Sequence, residues 1–323
     1  MCTAISYENG AHYFGRNLDL EQCFIEAVTV TPKYYPFPFR FLPTMNTHFA
    51  MIGMAAVVDD YPLYYEATNE CGLSVAALNF PGNAVYFSLD HQKINLAPYE
   101  LIPWLLGQYA TVDEARKDLK NINITDIAFS DQLPLSPLHW MLSDKQHSIV
   151  LESTINGLQI YDNPVNVLTN NPPFPFHLQY LSNFMNISAD EAVNRFAPDL
   201  NLQAYSRGMG GLGLPGDHSS SSRFVRAAFG LHNSIAADTE DENISQFFHI
   251  LESVAQVSGC VKIGSLYEKT IYSCCCNTQK GIYYYKTYEN SEITAIRLFS
   301  CDLEQNRIVS FPLRKQLSIY SEN

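Results

Sequence analysis

Apolar and polar residues alternate with a period of two over much of the chain, the pattern of half-buried strands. Residues 2–8 and 11–18 both read this way, and Asn9-Gly10 between them is a strong hairpin signal because both residues tolerate positive φ. Residues 147–161 alternate around Asn156-Gly157. Residues 270–276 and 281–288 flank Lys280-Gly281, with tyrosines at 283–285 and 288 that suit a sheet. Helical stretches fall between these hairpins. Thr111-x-x-Glu114 and Ser188-x-x-Glu191 have the form of capping boxes, and residues 243–257 place Ile244, Phe247, Phe248, Leu251 and Val254 on one helical face. Hairpins separated by helical blocks predict an α+β protein with antiparallel sheets and helices packed outside them.

A two-residue turn at Asn9-Gly10 would set Asn17 opposite Cys2 and Arg16 opposite Thr3. Strict alternation then puts Asp19 on the Cys2 face and keeps Arg16 off it, unless a bulge at Gly15 re-aims the arginine.

Composition narrows the function. Of 323 residues 46% are hydrophobic and 16% charged, with 20 Tyr and 19 Phe, enough apolar surface for one large domain or two moderate ones. The net charge is −13 with no basic cluster, which argues against a nucleic-acid or anionic-membrane partner. The longest apolar stretch, around residues 50–58, is too short to span a bilayer, and the start lacks a basic segment followed by an apolar one, so a cytoplasmic location is expected. The eight cysteines include no C-x-x-C pair, and Cys274-Cys275-Cys276 read as strand residues in a reducing compartment. With no H-E-x-x-H among scattered histidines, neither a metal nor a cofactor is expected. Gly208 to Gly213 satisfies G-x-G-x-x-G, but Leu214-Pro215-Gly216 follows instead of a helix, so an irregular loop shaping a pocket is expected there.

The chemistry is concentrated at Met1-Cys2-Thr3. Methionine before a small residue is readily trimmed, and its removal would leave a thiol and a free α-amine on Cys2. Their ordinary pKa values, about 8.5 and about 7.7–8.0, are close enough for one residue to act as nucleophile and base. A nearby cation such as Arg16 would favour thiolate, and a carboxylate such as Asp19 would orient the amine. Asn79 in Leu78-Asn79-Phe80-Pro81-Gly82 and Asn170 in Leu168-Thr169-Asn170-Asn171-Pro172 close apolar runs. They are either oxyanion donors or ordinary turn residues before proline. Arg223 stands in the first turn of an expected helix, against the helix dipole, which a functional role or a salt bridge would each explain.

As an ordered set, Met1-Cys2-Thr3, Phe14 to Asp19, Leu78 to Gly82, Leu168 to Pro172, Leu214 to Asp217 with Ser222 to Arg226, and Tyr283 to Tyr288 resemble the choloylglycine hydrolase family over essentially the whole chain. Within it they resemble the bile salt hydrolases more than the penicillin V acylases, which commonly carry tyrosine where Asn79 stands. The resemblance implies an N-terminal-nucleophile hydrolase built as a four-layer αββα sandwich, one domain over residues 1–323 with Met1 removed, usually a homotetramer. It implies Cys2 as nucleophile, Arg16 beside the sulfur, Asp19 on the α-amine, Asn79 and Asn170 at the oxyanion region, and Arg223 as electrostatic support. The implied substrate is a bile acid conjugated to glycine or taurine. Penicillin V, another N-acyl amide such as an acyl-homoserine lactone, or mere sterol or lipid binding are the alternatives. Phe24, Tyr34 to Phe39, Ile52 and Tyr61 to Tyr65 are candidates to line a sterol pocket or simply to pack a core.

Overall fold

Gly10, at φ +65°, turns the chain between the antiparallel strands Cys2–Asn9 and Ala11–Leu20. The register differs by one residue from a two-residue turn: Cys2 pairs with Leu18, Thr3 with Asn17 and Ala4 with Arg16. A one-residue slip exchanges the two faces of a strand. Arg16 and Leu18 therefore share the face of Cys2, while Asn17 and Asp19 point to the other side, the reverse of the expected arrangement. No bulge at Gly15 is involved. Gly15 is needed because the neighbouring strand passes so close that a Cβ there would lie 2.0 Å from the Cys274 carbonyl oxygen.

The structure, a computed structural model, describes residues 1–235 and 238–323. One sheet runs, edge to edge, Val167–Leu168, Cys2–Asn9, Ala11–Leu20, Leu266–Asn277, Ile282–Thr287 and Thr294–Arg297, with Val261–Ile263 also paired to Leu266–Asn277. The other runs Gly157–Asp162, Ser148–Thr154, Leu138–Ser143, Ser74–Asn79, Tyr61–Asn69, Met51–Val58, Glu26–Thr31 and Val309–Pro312. All pairings in both are antiparallel. Ala4, Phe14, Leu18 and Cys276 of the first sheet share one buried core with Ile52, Met54, Ala76 and Leu78 of the second. Helices Ser220–Asn233 and Glu240–Glu252 cover the outside of the first sheet, and Leu101–Gln108 and Val112–Leu119 that of the second. This is the αββα sandwich.

Local signals succeed where the side chain is free to make its local bond. Thr111 accepts from the Glu114 amide and opens a helix, and Ile244, Phe247, Phe248 and Leu251 are buried along Glu240–Glu252. Val254 is buried too, though it lies beyond that helix. Ser188 does not open a helix: its hydroxyl bonds the Asp190 carboxylate and takes the Asp190 amide, which closes a turn instead. Met209–Gly211 forms a short 3-10 turn, and no α-helix follows before Ser220. Tyr35, Phe37, Tyr61 and Tyr64 pack in the core beneath the helices of the second sheet, and Ile52 packs between the sheets. Those members of the expected pocket lining are core residues.

Candidate active site

Cys2 begins its strand with 2% of its surface exposed, on the side that faces the second sheet. Its backbone N–H donates to Asn170 Oδ1 at 2.8 Å, and its carbonyl accepts from Arg223 Nη1. Residue 2 is thus held at both ends of its backbone.

Asn170 follows the two-residue edge strand Val167–Leu168, which pairs with the strand of Cys2. Its amide is used on both sides. Oδ1 accepts from Cys2 N and from Arg223 Nη2 at 2.7 Å, and Nδ2 donates to the Asn79 carbonyl at 2.7 Å. Asn79 closes Ser74–Asn79, the strand of the second sheet against which Cys2–Asn9 packs.

Arg223 sits in the first turn of Ser220–Asn233, where its charge opposes the helix dipole. Its position is explained by what it reaches. Nη1 also donates to Thr3 Oγ1 at 2.7 Å, and Nε to the His218 carbonyl at 3.1 Å. Burial lowers its pKa, while Asp19 and Cys2 act to raise it.

Arg16 is fully buried on the Cys2 face. Nη1 donates to the carbonyls of Ala77 and, at 3.2 Å, Tyr65, so the guanidinium is pinned to the second sheet. Burial disfavours its charge, but Cys2, Tyr272 and Glu66 outweigh that and keep the group protonated.

Asp19 lies on the opposite face, where a bulge between Thr270 and Tyr272 interrupts the adjoining strand. Thr270 Oγ1 donates to Asp19 Oδ1 at 2.6 Å, and Oδ2 is buried with no hydrogen-bond partner among the described residues. Burial raises the Asp19 carboxyl above its ordinary range, opposed by Arg223 and the chain-terminal charge. Met1 occupies the space beside it: its amine donates to the Asp19 carbonyl at 2.8 Å and pairs with Glu268, and its carbonyl accepts from the Asp19 amide.

Cys2, Asn170, Arg223 and Asn79 therefore form one hydrogen-bonded group. Arg16 adjoins it from the inter-sheet side and Asp19 from the helical side. Sequence reasoning missed Glu66, Thr270 and Glu268. A signal for Glu66 existed, an acid inside the apolar strand Tyr61–Asn69; nothing local marks the other two. Among the described residues no cluster of three His, Cys, Asp or Glu could hold a metal ion.

The arrangement offers a thiol, an electrostatic partner for its anion, and fixed amide groups beside it, the components of acyl transfer. Residues 2–311 match the model of linear amide C–N hydrolases of the choloylglycine hydrolase family. The chain is 52% identical to a bile salt hydrolase/transferase of Lactiplantibacillus plantarum, with both chains fully covered. Its structure resembles that of the C2A mutant of a conjugated bile acid hydrolase from Clostridium perfringens, with TM-score 0.93, 36% identity and both chains fully covered. A penicillin V acylase from Agrobacterium tumefaciens shares the fold at TM-score 0.77 and 20% identity, over 99% of this chain and 94% of that one. The chain belongs to the choloylglycine hydrolase family of linear amide C–N hydrolases.

Proposed function

We propose that this enzyme hydrolyses the amide between a bile acid and glycine or taurine, using Cys2 as its N-terminal nucleophile once Met1 is removed. The observation that carries the reading is the grip on Cys2 itself: Asn170 on its nitrogen and Arg223 on its carbonyl. The names of the relatives at 52% and 36% identity support the substrate.

In this reading the thiolate, stabilised by Arg16, attacks the amide carbonyl. Asn79 and nearby backbone N–H groups hold the oxyanion, Asn170 orients the Cys2 nitrogen through Oδ1, and the α-ammonium of Cys2 gives its proton to the leaving nitrogen. Water, deprotonated by the amine, then cleaves the thioester and frees the acid and the thiol. The buried, unpartnered Asp19 Oδ2 supports a role in holding the ammonium. Arg223 balances the charge of Asp19 and ties residue 2 to Asn170.

The test is release of glycine from glycocholate by the Met-trimmed enzyme, compared with side-chain removal from penicillin V. Failure on the bile salt with turnover of penicillin V would move the substrate to the other branch of the family.

We take residues 1–323 as one domain. We take a homotetramer as the assembly; the segment 185–212 carries the exposed apolar side chains Met185 (82%), Phe196 (86%), Tyr205 (82%) and Leu212 (73%), available for contact between copies. A cytoplasmic location is supported by the eight cysteines, all free. Among the described residues no helix is long and apolar enough to cross a membrane.

A further inference from the structure

Val167–Leu168 is a short edge strand, and the chain leaves the sheet ladder immediately after it. Thr169 and Asn170 therefore have no strand partner to fix their backbone, although the Asn170 side chain serves Cys2, Arg223 and Asn79 at once.

Two buried imidazoles supply what the ladder does not. His139 Nε2 donates to the Thr169 carbonyl and His177 Nε2 to the Asn170 carbonyl, each at 2.9 Å. A carbonyl only accepts, so both Nε2 atoms carry the proton. The Asn170 backbone N–H donates to Ser220 Oγ at 2.8 Å, and that hydroxyl donates to Thr169 Oγ1 at 2.9 Å.

The rings are themselves fixed. His139 lies flat on Phe80, with centroids 4.3 Å apart and planes 5° apart, and its Nδ1 meets Glu152 Oε1 at 3.1 Å. The same Glu152 oxygen takes the Phe174 amide at 2.9 Å, at the start of the helix that carries His177. His177 stacks on Phe224, next to Arg223. Its Nδ1 has no hydrogen-bond partner among the described residues, and burial lowers its pKa, which agrees with a neutral ring donating from Nε2. His139, Glu152 and His177 are all fully buried.

We propose that His139 and His177, with Glu152 behind the first, are positioning residues that aim the Asn170 amide at Cys2. The inference rests on the role assigned above to Asn170. A catalytic amide displaced by about 1 Å can lose about 100-fold in rate, so a loosened backbone acts on turnover before it acts on folding.

The experiment measures glycocholate hydrolysis by His177→Phe, His177→Gln and Asn170→Ala. His177→Phe keeps a ring against Phe224 but removes the donor. It should lower kcat by about 10-fold or more and leave KM within about 2-fold. Gln reaches the Nε2 position with an N–H and should restore kcat to within about 3-fold of wild type. Equal losses in the Phe and Gln variants, or wild-type kcat in the Phe variant, would overturn the proposal.

Should His177→Phe fail to fold, the pair His139→Gln and His139→Asn asks the same question, because only Gln reaches the Thr169 carbonyl. Gln should keep kcat and Asn lose it; equal values overturn the proposal. Asn170→Ala separates the two readings. If it is inactive while His177→Phe is normal, only the positioning role falls; if it is fully active, the role of Asn170 falls and the positioning role with it.

Discussion

Arg16 Nε and Glu66 Oε2 lie 3.8 Å apart between the two sheets, with side-chain exposures of 1% and 2%. Glu66 also accepts from Tyr272 at 2.7 Å, Tyr283 at 2.5 Å and Cys274 Sγ at 3.5 Å. Burial pushes its carboxyl above the ordinary range, with Arg16 and these donors pulling the other way. The guanidinium next to the nucleophile thus has a built-in counter-ion on the facing sheet.

Removing one charge of such a pair leaves the other buried and uncompensated. Glu66→Gln is expected to cost about 3 kcal/mol of stability and to lower kcat/KM by about 10-fold. Arg16→Met with Glu66→Gln removes both charges and should recover most of the stability but none of the activity. Denaturation midpoints beside steady-state rates check this; unchanged midpoint and rate in Glu66→Gln would remove the pair from the account.

Cys2→Ser should reduce turnover by at least about 100-fold, because an alcohol is far harder to deprotonate than a thiol. Cys2 is buried, and oxygen is smaller than sulfur, so the fold should survive. Circular dichroism and initial rates on one preparation decide it; near-normal rates would rule out Cys2 as nucleophile.

Met1 in place makes the nitrogen of Cys2 an amide, and its own amine pairs with Glu268. An amide nitrogen cannot carry a proton to the leaving group. Preparations that differ in Met1 retention should show activity proportional to the trimmed fraction found by intact mass spectrometry. Selective acetylation of the Cys2 amine should likewise abolish turnover. Activity in fully Met1-bearing protein contradicts the mechanism.

The pH dependence of stability has a source far from the site. His12 is 1% exposed, bonded to Ser6 Oγ at 2.8 Å and Thr278 Oγ1 at 2.9 Å. Burial pushes its pKa down to about 4 from an ordinary 6.5. Above pH 6.5 the ring is neutral in both folded and unfolded chains and adds no pH dependence. As pH falls from 6.5 towards 4 only the unfolded chain gains the proton, so stability drops, by about 3 kcal/mol in total. Burial lowers the pKa values of His48 and His177 in the same sense. His12→Gln should flatten this limb in urea midpoints measured from pH 7 to pH 4; an unaltered slope would show that His12 does not titrate as described.

The paired hairpins were legible because strand alternation and turn residues are short-range signals. The pairing of Leu266–Asn277 with Ile282–Thr287 appears where expected, and so does the hairpin of Ser148–Thr154 with Gly157–Asp162, although its turn is Ile155-Asn156 rather than Asn156-Gly157, since Thr154 pairs with Gly157. The ordered motifs around Cys2, Arg16, Asn79, Asn170 and Arg223 pointed to residues that do converge. Register was less legible. A turn one residue longer moved Arg16 onto the face of Cys2 and Asp19 off it, and no local pattern encodes that choice. Ser188 misled for a similar reason, since Asp190 competes for its hydroxyl.

By itself the sequence determined the chemistry at hand: a thiol one residue from the chain start, a buried-type cation and carboxylate in the next strand, and the hairpin that brings them near. The tertiary structure alone decided which face each takes, that Glu66 neutralises Arg16 across the sheets, and that the Asn170 backbone is held from outside its strand. The reason is physical. Propensity and alternation act between neighbours a few residues apart, whereas charge compensation and orientation join groups from opposite sheets and their flanking segments, far apart in sequence, and exist only once the layers have packed.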